Sequence, residues 1–158
     1  MLHALNLRKL LTSILIPVAV GGLAGFLTRN SMNIYAEINT PPLSPPGFIF
    51  PIVWTILYVL MGISLYLVRE SKADAELKNK GYLVFALQLA FNFLWSIVFF
   101  NLRWYLFAAI WLLALIVLIA LNIFYFAQAN RAAGLLLVPY LLWCAFALYL
   151  NIGIVILN

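Results

Sequence analysis

Three stretches of this 158-residue chain carry side chains that could grip a ligand. In the run from Ala86 to Phe99, a helical step of about 100° places Gln88, Asn92, Trp95 and Phe99 within a sector of roughly 60°. Tyr140, Trp143, Ala147 and Asn151 share another helix face at i, i+3, i+7, i+11 spacing, and Trp54 and Tyr58 share a third at i, i+4. Converging indole and phenol rings with a few amides suit a flat, conjugated, mostly apolar ligand. Gln88 and Asn92 fit hydrogen bonding between helices equally well, since amides in hydrocarbon must find partners. Ala86 and Ala90 lie opposite Gln88 as a small-xxx-small face, which marks them as a candidate contact between two copies of the chain. Gly21 and Gly25 form a second such pair and compete for that role.

Acid–base, nucleophilic and metal chemistry lack their residues. The single histidine is His3, and the four acids, Glu37, Glu70, Asp74 and Glu76, all fall outside the apolar runs. No paired carboxylates, nucleophile–base pair, metal-ligand spacing or phosphate-cradling glycine loop can be read, so no catalytic residue, metal or cofactor is expected. Cys144 is alone, which supports neither a disulfide nor a thiolate site.

The elements that must hold these residues are membrane helices. The composition is 67% hydrophobic and only 8% charged, outside the range of soluble domains. Five apolar runs, about 10–27, 48–68, 82–100, 105–127 and 134–157, contain no Asp, Glu, Lys or Arg. Each approaches the ~20 residues that cross a bilayer as a helix. They are continuous rather than alternating, which argues against a β-barrel. The expected fold is an all-α integral membrane protein, a single five-helix transmembrane bundle over residues 1–158. The first run is long for a signal-peptide core and fits a slightly short membrane helix.

Of the nine basic residues, Arg8, Lys9, Arg69, Lys72, Lys78, Lys80 and Arg131 fall on one side, leaving Arg29 and Arg103 on the other. The positive-inside rule then places the N-terminus in the cytoplasm and the first loop outside. The net charge of +5 is accounted for as a topology signal, with no nucleic-acid partner.

That first loop, Arg29–Gly47, is long and runs into five prolines within eleven residues, at 41, 42, 45, 46 and 51. Each ring fixes φ and restricts the residue before it, so Pro41, Pro45 and Pro46 read as a stiff cover over the aromatic faces. Ser44 with Pro45 reads as the start of the second helix, which puts Pro51 inside it at the cost of one backbone bond. Pro17 and Pro139 interrupt the first and fifth spans in the same way, shaping the bundle or hinging it. Asn101–Trp104 and Gln128–Ala133 are short turns that make their flanking helices antiparallel neighbours, and Arg69–Gly81 is a charged connection.

These residues resemble the TspO/MBR family, the tryptophan-rich sensory proteins related to the mitochondrial translocator protein, or peripheral benzodiazepine receptor. The likeness rests on Tyr35, Pro41, Pro45-Pro46 and Phe50-Pro51 with Trp54 and Tyr58. It continues through Gln88-Leu-Ala-Phe-Asn92 with Trp95, and through Val138-Pro-Tyr-Leu-Leu-Trp143 to Asn151. The resemblance implies a bundle, usually dimeric, in a lipid membrane, with a ligand pocket beneath the first loop. Carried over by position, Trp54, Tyr58, Asn92, Trp95, Ser96, Trp143 and Ala147 would line it. The implied ligands are porphyrins such as protoporphyrin IX and synthetic isoquinoline carboxamide or benzodiazepine compounds. The implied role is receptor or carrier in sensing, regulation or transport. The alternatives are light- and oxygen-dependent porphyrin degradation, or a membrane scaffold for partner proteins. A bacterial plasma membrane is the expected location. The chain departs from the family where it carries Ile34, Pro42 and Leu43 in place of loop tryptophans. It also has no basic residue after Tyr149, where a sterol-recognition pattern needs one.

Overall fold

The structure is a computed structural model that describes residues 4–158, so His3 lies outside the described residues. Among the described residues, five helical spans are long and apolar enough to cross a membrane. The first is α1 (Leu7–Thr28), capped by Asn6, whose Oδ1 accepts the Lys9 N–H at 3.1 Å. A four-residue turn, α2 (Ile34–Glu37), sits in the first loop. The second span is α3 (Ile49–Glu70), and the third is α4 (Ala75–Ser96) prolonged by a π turn at Ile97–Asn101. The fourth is α5 (Tyr105–Ala129). The fifth is split at Leu137 into α6 (Arg131–Leu136) and α7 (Val138–Leu157).

The spans close into a ring in the order α1, α3, α6–α7, α5, α4, with α4 returning to α1. Its distribution of side chains is the reverse of a soluble protein. Leu15, Leu23, Ile52, Ile56, Leu83 and Ile110 are exposed on the outside, while Gln88, Asn92 and Asn151 are buried within and hydrogen-bonded; Asn122 is buried without a partner among the described residues. That arrangement is the one hydrocarbon solvent demands, because unpaired amides are costly in lipid and apolar side chains are not. Gly62 brings α1 and α3 together, since a Cβ there would run into the backbone of Ile14.

Three expectations about boundaries need correction. The second span begins at Ile49, not Ser44: the Ser44 hydroxyl donates to the Pro41 carbonyl at 2.6 Å instead of capping a helix. Pro45 precedes Pro46, and a residue before proline is pushed away from the helical region, so the helix cannot start there. Pro51 is therefore the third residue of α3. Its missing N–H is one of the first-turn donors that have no partner in any helix, and no backbone bond is lost. Pro139 likewise sits at the second residue of α7, after the break, which leaves Pro17 as the interior helix proline among the described residues. The charged connection shrinks to Ser71–Asp74. The Asp74 carboxylate accepts the Leu77 N–H at 2.9 Å and starts α4 well before its apolar run.

Most of the basic residues gather at the end where α1 begins and α3 finishes. There Lys9 pairs with Glu70 at 2.7 Å, and the Arg69 guanidinium donates to Ser13 Oγ at 2.8 Å and Thr12 Oγ1 at 3.1 Å.

Candidate functional site

At the opposite end, under the first loop, the helices enclose a cavity of about 250 Å³. Its walls are mostly rings. Trp54 stacks on Tyr58 with centroids 5.7 Å apart, and Trp95 stacks on Phe99 at 5.3 Å. Phe50 meets Trp143 edge-on at 5.9 Å and Tyr35 edge-on at 4.9 Å. Ser96 and Ala147 complete the side formed by α4 and α7, and α1 contributes the glycines Gly21, Gly22 and Gly25. A Cβ on Gly21 would collide with the Tyr58 ring, whereas one on Gly22 or Gly25 would meet open space. The π turn matters here: by widening the last turn of its span it lets the consecutive residues Phe99 and Phe100 both reach the cavity.

Beneath the cavity floor runs a buried polar chain joining three spans. The Tyr58 hydroxyl donates to Asn92 Oδ1 at 2.9 Å, and Asn92 Nδ2 donates to the Tyr140 hydroxyl at 2.8 Å. Tyr140 in turn donates to Gln88 Oε1 at 2.6 Å, and Gln88 Nε2 reaches Met61 Sδ at 3.9 Å. A second link runs beside it: the Trp95 indole N–H donates to Asn151 Oδ1 at 3.2 Å, and Asn151 Nδ2 donates to the Tyr105 carbonyl at 2.9 Å. These bonds fix the orientation of Tyr58 and Trp95 while leaving their faces to the cavity.

The lining is chemically quiet. Thr28 bonds the Ala24 carbonyl at 2.8 Å, Thr55 the Pro51 carbonyl at 2.7 Å and Tyr35 the Pro45 carbonyl at 2.8 Å. Burial raises the Tyr35 phenol above its ordinary value, with the Ser44 side chain acting weakly against it, so the hydroxyl stays a donor at neutral pH. Among the described residues, the Ser96 hydroxyl and the indole N–H groups of Trp54 and Trp143 are left on the lining without a protein partner, and no charged side chain lines the cavity.

The loop is tied down from the other side. Tyr149 donates to the Pro42 carbonyl at 2.7 Å, and Asn39 and Asn158 exchange hydrogen bonds at 3.1 and 2.8 Å. The Pro41 ring lies over Gly153 so closely that a Cβ there would strike it.

The model of the TspO/MBR family matches residues 13–157. The chain belongs to that family. It is 39% identical over 155 residues to the "Tryptophan-rich protein TspO" of Archaeoglobus fulgidus, covering 98% of this chain and 99% of that one. It is 38% identical over 139 residues to the protein of the same name from Chlorobaculum tepidum, covering 87% and 88%. The "Translocator protein" of Ovis aries is 33% identical over 134 residues, covering 83% and 79%. This is a TspO/MBR membrane protein related to the translocator proteins.

Of the residues named on the family's pattern, Trp54, Tyr58, Trp95, Ser96, Trp143 and Ala147 all line the cavity. Asn92 does not. It is buried one layer down, with both its amide oxygen and its amide nitrogen bonded to tyrosines. Pro41, Pro45 and Pro46 are set back from the lining as well; the cover over the cavity is Tyr35 and Phe50, with the Tyr35 hydroxyl held by the Pro45 carbonyl. Ala86 and Ala90 are exposed on the outer face of α4, in a groove beside α1. Gly21 and Gly25 turn to the cavity instead of an outer contact. The glycine wall and Phe100 of the π turn are lining features that the aromatic pattern did not single out, whereas Phe99 shared the face of Trp95 in it. Small residues at 21, 22, 24 and 25 were the available signal for the first.

Proposed function

We propose that this TspO/MBR protein is a membrane receptor or carrier for flat, apolar, conjugated ligands, tetrapyrroles such as protoporphyrin IX foremost, in a sensing, regulatory or transport role. The observation that carries the reading is the cavity lining: aromatic faces on several spans, few polar groups left unpaired, and no charge. Such walls bind a ring system by area and stacking. They offer a carboxylate no cation, so the acidic groups of a porphyrin stay at the opening. Isoquinoline carboxamide or benzodiazepine compounds suit the same walls, with Ser96 and Trp54 as hydrogen-bonding partners. The cavity volume of about 250 Å³ lies just below the ~300–1,000 Å³ of small-molecule sites. A tetrapyrrole therefore enters with the loop lifted from its ties at Asn39 and Tyr149.

The test is quenching of tryptophan fluorescence by protoporphyrin IX, titrated in the dark into detergent-purified protein. Saturable quenching is expected, weakened about two- to tenfold by Trp143→Phe, the scale of one weakened aromatic contact. Linear quenching identical in both proteins would reflect partition into detergent and defeat the reading.

The same proposal places the protein in a bacterial plasma membrane with the loop outside, from the cluster of basic residues at the other end. A Leu43→Cys protein should react with a membrane-impermeant maleimide in intact cells, because Leu43 is 84% exposed while the native Cys144 is fully buried. Labelling only after lysis would invert the orientation.

A further inference from the structure

The cavity under the loop is not closed on all sides. Of the residues that line it, Gly22, Met32, Pro51 and Thr55 are exposed, and each belongs to α1, to α3 or to the loop between them. The seam between α1 and α3 accounts for the gap. Toward the basic end the two helices touch, since a Cβ on Gly62 would strike the Ile14 backbone. Counting up one helix and down the other from that contact puts Gly21 level with Thr55 and Gly25 level with Pro51. The Tyr58 ring fills the space beside Gly21, but a Cβ on Gly22 or Gly25 would meet nothing. The opening therefore lies in the half of the seam nearest the loop, on the lipid side of the bundle. Its rim suits that place: the hydroxyls of Thr28 and Thr55 are both spent on carbonyls of their own helices.

Arg29 stands at the end of this opening. It follows Gly25 by four residues and Gly22 by seven, so the three share one face of α1 within about 60°. As the C-cap it keeps helical dihedrals, φ −57° and ψ −34°, so the face continues to it. Its Nη1 donates to the Phe26 carbonyl at 2.7 Å, and its guanidinium lies 3.9 Å from the centroid of the Phe26 ring. Those contacts fold the cation back over the preceding turn, toward the glycines. Its Nε and Nη2 make no hydrogen bond, and no carboxylate pairs with it, among the described residues. We propose that Arg29 binds a carboxylate of the ligand whose ring occupies the cavity. The proposal rests on reading that cavity as a tetrapyrrole site, and it selects ligands with an apolar ring and an acid at one edge. A guanidinium with open donors in a fixed orientation matches a carboxylate. Its place suits such a ligand too. Arg29 ends the first span, where a charge reaches water, while the glycines below it are level with hydrocarbon. An amphiphilic ring lying in the membrane with its acids at the surface meets the opening in the orientation it keeps when bound. Arg103, the other basic residue at this end, sits between the π turn and α5, away from the seam.

Quenching titrations in the dark with protoporphyrin IX and with its dimethyl ester, each ligand compared between proteins, test this. Arg29→Gln should weaken protoporphyrin IX about fivefold, the upper end for an exposed ion pair, and leave the ester as it was. Arg29→Lys, a point charge without the fork, should lose less of the acid's affinity and none of the ester's. Arg103→Gln removes the same charge from the same end and should change neither ligand. Melting curves establish that each variant is folded, and Arg29→Lys decides by the same comparison if Arg29→Gln is not. Equal weakening of acid and ester, unchanged affinity for the acid in Arg29→Gln, or an equal loss in Arg103→Gln overturns the proposal. If neither porphyrin saturates the wild type, the reading of the cavity fails and the proposal falls with it. Saturable binding that ignores Arg29 leaves that reading standing and removes the carboxylate contact alone.

Discussion

Gly25→Leu is expected to abolish saturable porphyrin binding while leaving the protein as stable as wild type, or more so. Gly25 lines the cavity from the α1 side, and a Cβ built on it meets nothing within 4 Å. The new side chain has somewhere to go, and that place is the ligand's. Leucine also favours a helix over glycine by about 0.5–1 kcal/mol, so the fold gains where the function loses. The cavity holds only about 250 Å³, and a leucine side chain inside it displaces a comparable area of ligand from the aromatic walls. A loss of at least tenfold in affinity, roughly 1.4 kcal/mol, corresponds to excluding only about two methylene-sized contacts. Full exclusion is the more reasonable outcome. Titration and thermal melting on the same sample check both halves. Gly21→Leu is the contrasting variant: its Cβ would strike the Tyr58 ring, so it should cost stability as well as binding. If Gly25→Leu binds like wild type, the ligand does not use this cavity.

The contrast between these glycines shows where the sequence is legible and where it stops. The inward face of α4 could be read because amides in an apolar run announce themselves: Gln88 and Asn92 had to find partners, and the same arithmetic that grouped them with Trp95 and Phe99 put Ala86 and Ala90 outside. What arithmetic could not say was whether Asn92 faced a ligand or another helix. That depends on Tyr58 and Tyr140 arriving from two other spans. A glycine is harder still, because its use is the space beside it. Gly21 and Gly25 looked alike as a small-residue pair, yet one accommodates a tyrosine ring and the other borders a void. The loop was misread for a local reason, the effect of Pro46 on Pro45, which outweighed the capping signal at Ser44. The π turn left no mark in the apolar run from Ile97 to Phe100, since inserting one residue into a turn changes which side chains face inward without changing their type.

Asn92→Leu should destabilise the protein markedly, and Tyr58→Phe should largely repair it. Asn92 accepts from Tyr58 and donates to Tyr140, both buried. Leucine removes both bonds at once. The Tyr58 hydroxyl is left buried with no protein acceptor, while Tyr140 keeps its bond to Gln88. An orphaned buried hydroxyl costs about 1–3 kcal/mol. Single interhelical bonds in membrane proteins average nearer 0.6 kcal/mol, so the penalty comes mainly from the orphan. Removing that hydroxyl as well leaves two apolar partners of nearly the original shape, a combination that can approach neutrality. The double variant should therefore melt closer to wild type than Asn92→Leu does, with a coupling of about 1 kcal/mol or more in the cycle. Binding should follow the same order. Tyr58 is held against Gly21 and under Trp54 by its bond to Asn92, and a hydroxyl seeking another partner would turn the ring out of the wall. Additive losses in the cycle would mean that the polar chain carries no cooperative weight, and that packing of the rings alone shapes the cavity floor.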